Sequence, residues 1–385
     1  MTAFLKDKVA IVGIGKTAQG TLEGSTAMGL GIEAFKNALA DAGVAKDEVD
    51  GILTHPGTTS PESAGHYLRF AENVGINPRV CTSFVMGGGS GGALVEYGAM
   101  AIANGMANYV ACVFGDSART GGFRFGGAMA GGGGMSQGIW GMFGPHANSA
   151  MGARRHMALY GTTSEQLGHV AVTIRENANR NPDAVMHDRV ITLEDHQNSR
   201  YIVDPLHLLD CCLISDGAVC ILLGPADRAK DLKQKPVYLA GMGQAYQTVS
   251  MRNDEWWYLT HQRRALADAF AMAEMSTEDI DVAQLYDNFT ISVLFWLEHA
   301  GFCGIGEAGP FVESGAIRPD GELPINTSGG NLSESYMEGW LHIYEGVRQM
   351  RGTSTTQIQG AKTCLTTGRG LNLNTSNALI LRNDD

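Results

Sequence analysis

The apolar positions fall into short β-branched runs separated by longer amphipathic stretches. Lys8 to Gly15 reads KVAIVGIG and Pro236 to Gly243 reads PVYLAGMG. Each is a continuous apolar run of strand length ending in glycines, which predicts a buried strand. After the first run come a helical pattern over Ile32 to Ala42, the acidic turn DEVDG and the run GILTH. After the second come Arg264 to Ala273, then TEDID, then VAQLYDN. A third match keeps the same order: GGGSGGALVEYGAMAIANG leads into YVACVFG, and TSGGNLSESYMEGWLHIYEGVRQMRG leads towards TCLTTGRG. Three matched elements in one order predict an internal duplication. Two such βαβ-type halves, packed back to back, predict an α/β fold of stacked mixed sheets with helices between and outside them.

The boundaries that follow are residues 1–118 with 205–235 for the first half and 236–385 for the second. Residues 119–204 belong to neither repeat. They hold the glycine tract GGAMAGGGG and the helical run NSAMGARRHMALYG, which together predict an inserted loop or lid domain.

Composition narrows the class. Hydrophobic residues make up 44% and charged residues 18%, too apolar for a solvated coil. The 51 glycines come with only 11 prolines and no three-residue period, which excludes collagen and points to close backbone approach. A formal charge of -12 argues against a nucleic-acid or anionic-membrane surface, so a phosphate-bearing ligand needs a local basic patch. The seven cysteines are odd in number and lack the C-x-x-C pairs of a zinc site, which predicts reduced thiols. Met1 to Gly15 shows no signal-peptide pattern, and no apolar stretch approaches the ~18 residues of a spanning helix. The expectation is a cytoplasmic enzyme or binding protein.

Two nucleotide motifs fail on inspection. Ala10 to Thr17, AIVGIGKT, places Lys16 and Thr17 as in a phosphate-binding loop but lacks its first glycine. Gly13 and Gly15 begin a dinucleotide fingerprint that Ala18 does not complete. Neither ATP nor NAD is implied.

Longer runs are more specific. SRYIVDPLHLLDCCLISDGAVCILL (Ser199 to Leu223), YGTTSEQLGHVAV (Tyr160 to Val172) and INTSGGNLSESYMEG (Ile325 to Gly339) resemble the thiolase superfamily, in its sterol-carrier and lipid-transfer branch. The resemblance covers nearly the whole chain. It implies a five-layered αβαβα fold of two similar halves with a loop domain, in agreement with the repeat.

The departures carry the chemistry. Where thiolases hold a nucleophilic cysteine in a C-x-S-G run, this chain has Gly88, Gly89, Ser90, Gly91. The second cysteine, of a C-x-G run, is matched by Thr366 in Thr366, Thr367, Gly368, and the histidine of the G-H-P run by Tyr336. The N-E-A-F or H-D-C-F run reads Tyr286, Asp287, Asn288, Phe289. Decay of a dead thiolase would more often leave Ala, Ser or Gln than two phenols able to donate and accept protons. A cavity without its thiols cannot form an acyl-enzyme at residue 88, but it can stabilise an enolate. A 3-hydroxyacyl-CoA breaks without a nucleophile by retro-aldol reaction, for which one base and one acid suffice.

The pattern resembles the steroid side-chain aldolases of this superfamily, which carry tyrosines at these two sites. The resemblance implies cleavage of a steroid 17-hydroxy acyl-CoA to a ketone and a shortened acyl-CoA such as propionyl-CoA. Tyr286 and Tyr336 become the acid and base, in either assignment, and Gly88 and Gly368 supply backbone groups to the thioester oxygen. An unperturbed phenol ionises near pH ~10, so the base needs a nearby cation, a water relay or hydrogen bonds. Asp287, adjacent in sequence, is expected to face away.

Asn288, His55 and Thr366 are candidates to line the cavity, as are His146 and His156, though a satisfied structural histidine is the simpler reading of each. Arg154, Arg155, Arg252, Arg263 and Arg264 are candidates for the CoA phosphates, with surface ion pairing the competing reading. Phe123, Phe125, Trp140 and Phe143 in the insert suit a large apolar substrate, or simply pack the lid. The resemblance further implies a homodimer and a small OB-fold partner with a zinc ribbon, giving a heterotetramer. No cofactor or metal is expected on this chain beyond the coenzyme A of the substrate. Two alternatives remain: a non-catalytic acyl-CoA or lipid-binding subunit, and an acyltransferase or thiolase using Cys81 or Cys364.

Overall fold

The computed structural model describes residues 4–60, 65–123, 144–247, 261–370 and 375–384. Arg252, Phe125, Trp140, Phe143 and the glycine tract of the insert lie outside the described residues.

The first half contains β1 (Val9–Lys16), α1 (Ala27–Ala42), β2 (Val49–His55), α2 (His66–Val74), β3 (Val80–Ser83), α3 (Ser90–Ala103) and β4 (Tyr109–Ser117). The insert supplies α4 (Gly144–Tyr160), α5 (Ser164–Asn179) and α6 (Leu193–Asn198), followed by the hairpin of β5 (Tyr201–Val203) and β6 (Leu206–His207). Then come β7 (Asp216–Pro225), β8 (Val237–Tyr246), α7 (His261–Ala273), β9 (Val282–Gln284), α8 (Thr290–Ala300), α9 (Ala308–Glu313), α10 (Trp340–Arg351), β10 (Thr363–Gly370) and β11 (Thr375–Arg382).

Nine strands join in the order β3-β2-β4-β7-β1-β8-β11-β10-β9. β2-β4-β7-β1 is mirrored by β9-β10-β11-β8, with no counterpart to β3 among the described residues; β1 and β8 meet through only Ala10↔Tyr238 and Ile11↔Val237. Within each half the inner strands pair antiparallel, β1 with β7 and β8 with β11, while β2 and β9 pair parallel with β4 and β10.

Three hydrophobic cores set five layers. One lies between the first sheet and α1 and α2, through Ala10, Val12, Phe35 and Phe70. The second takes the opposite side chains, Val9 and Ile11, together with Leu239, Leu94 of α3, Trp340 of α10 and Leu379. The third lies beyond the second sheet, where Ala240 and Ile380 meet Leu266 of α7 and Phe295 of α8. Alternate residues of β1 therefore enter different cores, and the strand lacks a polar face because neither side meets water. The insert's Ala153, Leu167, Val170 and Ile174 pack into the third core, so α4 and α5 cover the second half's outer face.

The duplication reappears in the glycines. A Cβ on Gly13 or Gly15 would lie 2.4 and 2.1 Å from the carbonyl oxygens of Ala38 and Ala34 in α1. In the second half, Gly241 and Gly243 stand 2.2 and 2.1 Å from those of Ala269 and Ala265 in α7. Both pairs bring helix backbone directly onto strand backbone, which any side chain would prevent. Gly15→Ala and Gly243→Ala are each expected to destabilise the chain by about 1–3 kcal/mol, read as a lower urea midpoint; equal midpoints would contradict this packing.

Candidate active site

Five chain segments converge where the two halves meet. They are the loop 86–89 before α3, residues 211–215 before β7, residues 285–289 after β9, residues 335–339 before α10, and the end of β10. Backbone bonds knit them: Cys212 N–H donates to Asn288 O at 3.0 Å, Leu213 N–H to Asn331 O at 3.1 Å, and Tyr336 N–H to Ser215 Oγ at 3.4 Å.

Tyr286 stands at the centre. Its N–H donates to Thr367 Oγ1 at 2.9 Å, and Leu285 before it is clamped by the Asn326 amide, which accepts from Leu285 N–H at 2.7 Å and donates to Leu285 O at 2.9 Å. The ring lies between two glycines. A Cβ on Gly88 would sit 2.0 Å from the phenol oxygen, and one on Gly339 would sit 3.0 Å from Cδ2. The phenol thus occupies the space a side chain at residue 88 would need. Gly368 and Gly370 close the other side, where added Cβ atoms would meet Gly88 O at 2.6 Å and Met86 O at 1.6 Å.

The hydroxyls of Tyr286 and Tyr336 lie 3.3 Å apart, close enough to reach one bound molecule. Burial raises both phenols well above their ordinary value, and the Glu338 carboxylate raises both further. Arg369 opposes this at Tyr286. Its buried guanidinium donates through Nη2 to Asn288 Oδ1 at 3.0 Å and Ser292 Oγ at 2.7 Å. Its Nε and Nη1 have no hydrogen-bond partner among the described residues, so its charge is incompletely neutralised. Burial pushes this guanidinium down to about 10, and the two phenols work against that fall.

Glu338 is buried, and its carboxyl is pushed up to about 8 by burial and then by the Asp116 charge. Its Oε2 lies 3.4 Å from His55 Nε2. Burial holds His55 down to about 3, so its ring is neutral. Gly57 N–H donates to His55 Nδ1 at 3.0 Å, which leaves the ring proton on Nε2, where neither that atom nor Glu338 Oε2 has a hydrogen-bond partner among the described residues.

The other candidates divide. Asn288 is held by Arg369 and Ser292 rather than turned to the cavity. Thr366 points at α10, its Cγ2 2.9 Å from the position of a Cβ on Gly346, and so does not line the site. The strand alternation turns Thr367 to Tyr286 instead. Asp287 faces away as expected, accepting from Asn331 N–H at 2.8 Å and pairing with His342 Nε2 at 2.9 Å. His156 is satisfied by Thr162 at 2.8 Å and Glu298 at 3.1 Å, and His146 packs edge-on against Phe289. Cys81 belongs to the outer core and is pushed up to about 11; Cys364 is buried towards α10 and raised well above its ordinary value by burial. Neither is placed or ionised for attack at Gly88.

Arg154 pairs with Asp204 at the surface, and Arg155, Arg263 and Arg264 are exposed on α4 and α7. None of these four lines the cleft of about 860 Å³ that ends at Cys212 and Leu332. That cleft carries Arg119, Arg175, Arg189 and Arg200. The cleft's inner end at Cys212 adjoins the loops of the tyrosine pair: Cys212 N–H donates to Asn288 O, two residues after Tyr286, and Ser215 Oγ accepts from Tyr336 N–H.

Sequence reasoning missed Glu338, Arg369 and this arginine set. Glu338 stands in the run SESYMEG and Arg369 in TTGRG, both of which carried other candidates. The arginines are scattered over 82 positions, from 119 to 200, and only folding gathers them.

Residues 243–383 match the family described as "Thiolase C-terminal domain-like". The chain is 40% identical to the 17-hydroxy-3-oxo-4-pregnene-20-carboxyl-CoA lyase of Mycobacterium tuberculosis, over 98% of this chain and 100% of that one. It is 39% identical to the steroid side-chain-cleaving aldolase of Thermomonospora curvata, over 92% of this chain and 93% of that one. Among solved structures, an Ltp2-ChsH2(DUF35) aldolase superposes with a TM-score of 0.90 at 38% identity, over 99% of both chains.

The contact between residue 88 and the phenol is open to a double-mutant cycle. Gly88→Ala is expected to destabilise the chain by about 1–3 kcal/mol, and by much less in a Tyr286→Ala background. Equal cost in both backgrounds would mean that the phenol does not fill this space.

Proposed function

This chain belongs to the thiolase superfamily, among its steroid side-chain-cleaving aldolases, and on that premise we propose that it cleaves a steroid 17-hydroxy acyl-CoA by retro-aldol reaction. The products are the 17-ketone and propionyl-CoA. The observation that carries the reading is the 3.3 Å contact between the Tyr286 and Tyr336 hydroxyls beside a residue 88 with no side chain.

The reaction has three movements. The substrate's hydroxyl proton leaves through one phenol as the C–C bond breaks, the bond's electron pair becomes a thioester enolate, and the enolate carbon takes a proton from the phenol pair. No acyl group is transferred to the protein, which suits a site whose nucleophile position holds a phenol oxygen. To the enolate oxygen we assign backbone N–H groups of Gly88 and Gly368, residues that lie against one another in the site. Arg369 favours negative charge on Tyr286 and so lowers the cost of its ionisation.

The cleft supports a CoA seat. A chain of net charge -12 concentrates four arginines there, and none forms an ion pair with a carboxylate among the described residues. Phosphates at the cleft mouth and a pantetheine arm running inward would deliver the thioester to Cys212 and the phenols. This seat replaces the one expected at Arg154, Arg155, Arg263 and Arg264. We also propose a homodimer with a small partner subunit of the kind present in the Ltp2-ChsH2(DUF35) aldolase, the zinc residing on that partner.

The test is product analysis by mass spectrometry with the small subunit co-expressed. Tyr286→Phe and Tyr336→Phe are each expected to lose about 10²–10⁴-fold in rate. Absence of turnover by the unaltered protein with its partner, together with tight acyl-CoA binding, would favour a binding subunit instead. Arg189→Ala and Arg200→Ala are expected to raise KM about tenfold with kcat nearly unchanged. An unchanged KM would exclude the cleft as the phosphate seat.

A further inference from the structure

Two neutral phenols do not account for the base. Both are raised well above their ordinary value, first by burial, so neither readily gives up its proton near neutrality. A second acceptor is needed within reach of the pair. Glu338 is two residues beyond Tyr336, is buried, and carries an Oε2 with no hydrogen-bond partner among the described residues. Its charge acts on both phenols and on Cys212. Its backbone is left-handed, φ 47°, and the following Gly339 has φ 82°. A glutamate in a conformation that favours glycine turns its side chain where an ordinary loop would not.

The groups facing this carboxyl come from several elements. His55 at the end of β2 presents its Nε2 at 3.4 Å, and Phe114 of β4 lies against that imidazole at 5.1 Å between ring centroids. Asp116, further along β4, is fully occupied by the N–H and hydroxyl groups of Thr58 and Thr59, and its charge reaches Glu338. The tyrosines bracket its stretch of chain: Tyr336 stands two residues before it, and Gly339, the residue after it, packs on the Tyr286 ring, where a Cβ would lie 3.0 Å from Cδ2. The His55 ring lies against the carboxyl at 3.4 Å and limits where that side chain can turn.

We propose that Glu338, packed against His55, is the proton acceptor behind the tyrosine pair. The assignment rests on the retro-aldolase reading and deepens it. The substrate's O–H proton passes to a phenol oxygen as that phenol hands its own proton to the carboxylate. The C–C bond breaks to ketone and enolate. The proton then returns from Glu338 through the phenols to the enolate carbon. Protons balance over the cycle, nothing is oxidised or reduced, and Glu338 ends as the carboxylate it began as. Because Glu338 acts through Tyr286 and Tyr336, it is a positioning residue.

The test is the pH profile of kcat/KM for propionyl-CoA release by the complex with the small subunit. In the unaltered protein the rate rises with pH as Glu338 loses its proton near pH 8. Glu338→Gln is expected to lose about 10²–10⁴-fold and to abolish that limb, whereas Glu338→Asp retains a limb at a shifted midpoint. Stability supplies an independent readout. Burial leaves the folded state holding a proton that the unfolded chain releases above the ordinary value of 4.5, so this group's contribution falls as pH rises from about 4.5 to about 8. Glu338→Gln removes that part of the slope. A Glu338→Gln variant with the unaltered rate and limb overturns the inference. Activity retained by both tyrosine variants overturns the retro-aldolase reading itself, so the two failures are distinguishable.

Discussion

Residue 88 and the Tyr286 phenol cannot both have side-chain atoms in the same place, and this exclusion organises the site. A Cβ at residue 88 would lie 2.0 Å from the phenol oxygen, far inside contact distance, and the far end of a clamped ring is not free to yield. The clamp is itself built in layers: Asn326 fixes Leu285 from both backbone sides, Thr367 holds the Tyr286 N–H, and Gly339 opens room for the ring. Loss of the nucleophile and gain of the phenol are therefore one structural event. A cysteine could not be added back without removing the tyrosine.

The duplication makes such precision available. Close glycine contacts between β1 and α1, and again between β8 and α7, fix each helix on its sheet with backbone against backbone. The halves join through only two paired positions of β1 and β8, while α3 and α10 fill the core between them. The loops that lead into those two inner helices are the ones that carry Gly88 and Tyr336. Elements of high burial on both sides thus hold the ends of the reactive loops, leaving little freedom for the hydroxyls to drift apart.

The fold was legible in the sequence because its signals are local and repeated. Apolar runs ending in Gly13 and Gly15, or in Gly241 and Gly243, mark the strands, and the order of the matched segments reveals the halves. The phenol pair was legible as well, since both tyrosines stand in recognisable runs. Thr366 was misplaced by one step, because its position in a motif says nothing of which strand face it occupies; register turns Thr367, not Thr366, towards Tyr286. The basic patch was expected as a necessity and named at Arg154, Arg155, Arg252, Arg263 and Arg264, whereas the cleft gathers other arginines. Arg154 and Arg155 are neighbours in sequence, yet helix geometry sends them to the surface, and the cleft draws single arginines from separate segments. Glu338 gave no signal because a glutamate in a loop is ordinarily solvated; its burial follows from a backbone turn that composition does not encode.

The electrostatics of the pocket explain why these unread residues belong together. In a poorly hydrated site each ion is costly unless opposite charge lies near. Removing water from two phenols raises them, which alone would leave a pair of inert hydroxyls. Arg369 supplies a positive charge that is not cancelled by a carboxylate partner, and Glu338 supplies a group that gains or loses a proton at much milder pH than the phenols. Their effects on Tyr286 are opposite in sign, so the phenol's affinity for its proton depends on whether Glu338 is charged. When Glu338 takes a proton its repulsion of a phenolate disappears, while the attraction of Arg369 for that phenolate remains. Uptake of a proton by the carboxyl thus makes negative charge on the neighbouring phenol oxygen less costly. Neither residue could serve this way in water, where screening would separate the three groups into independent titrations.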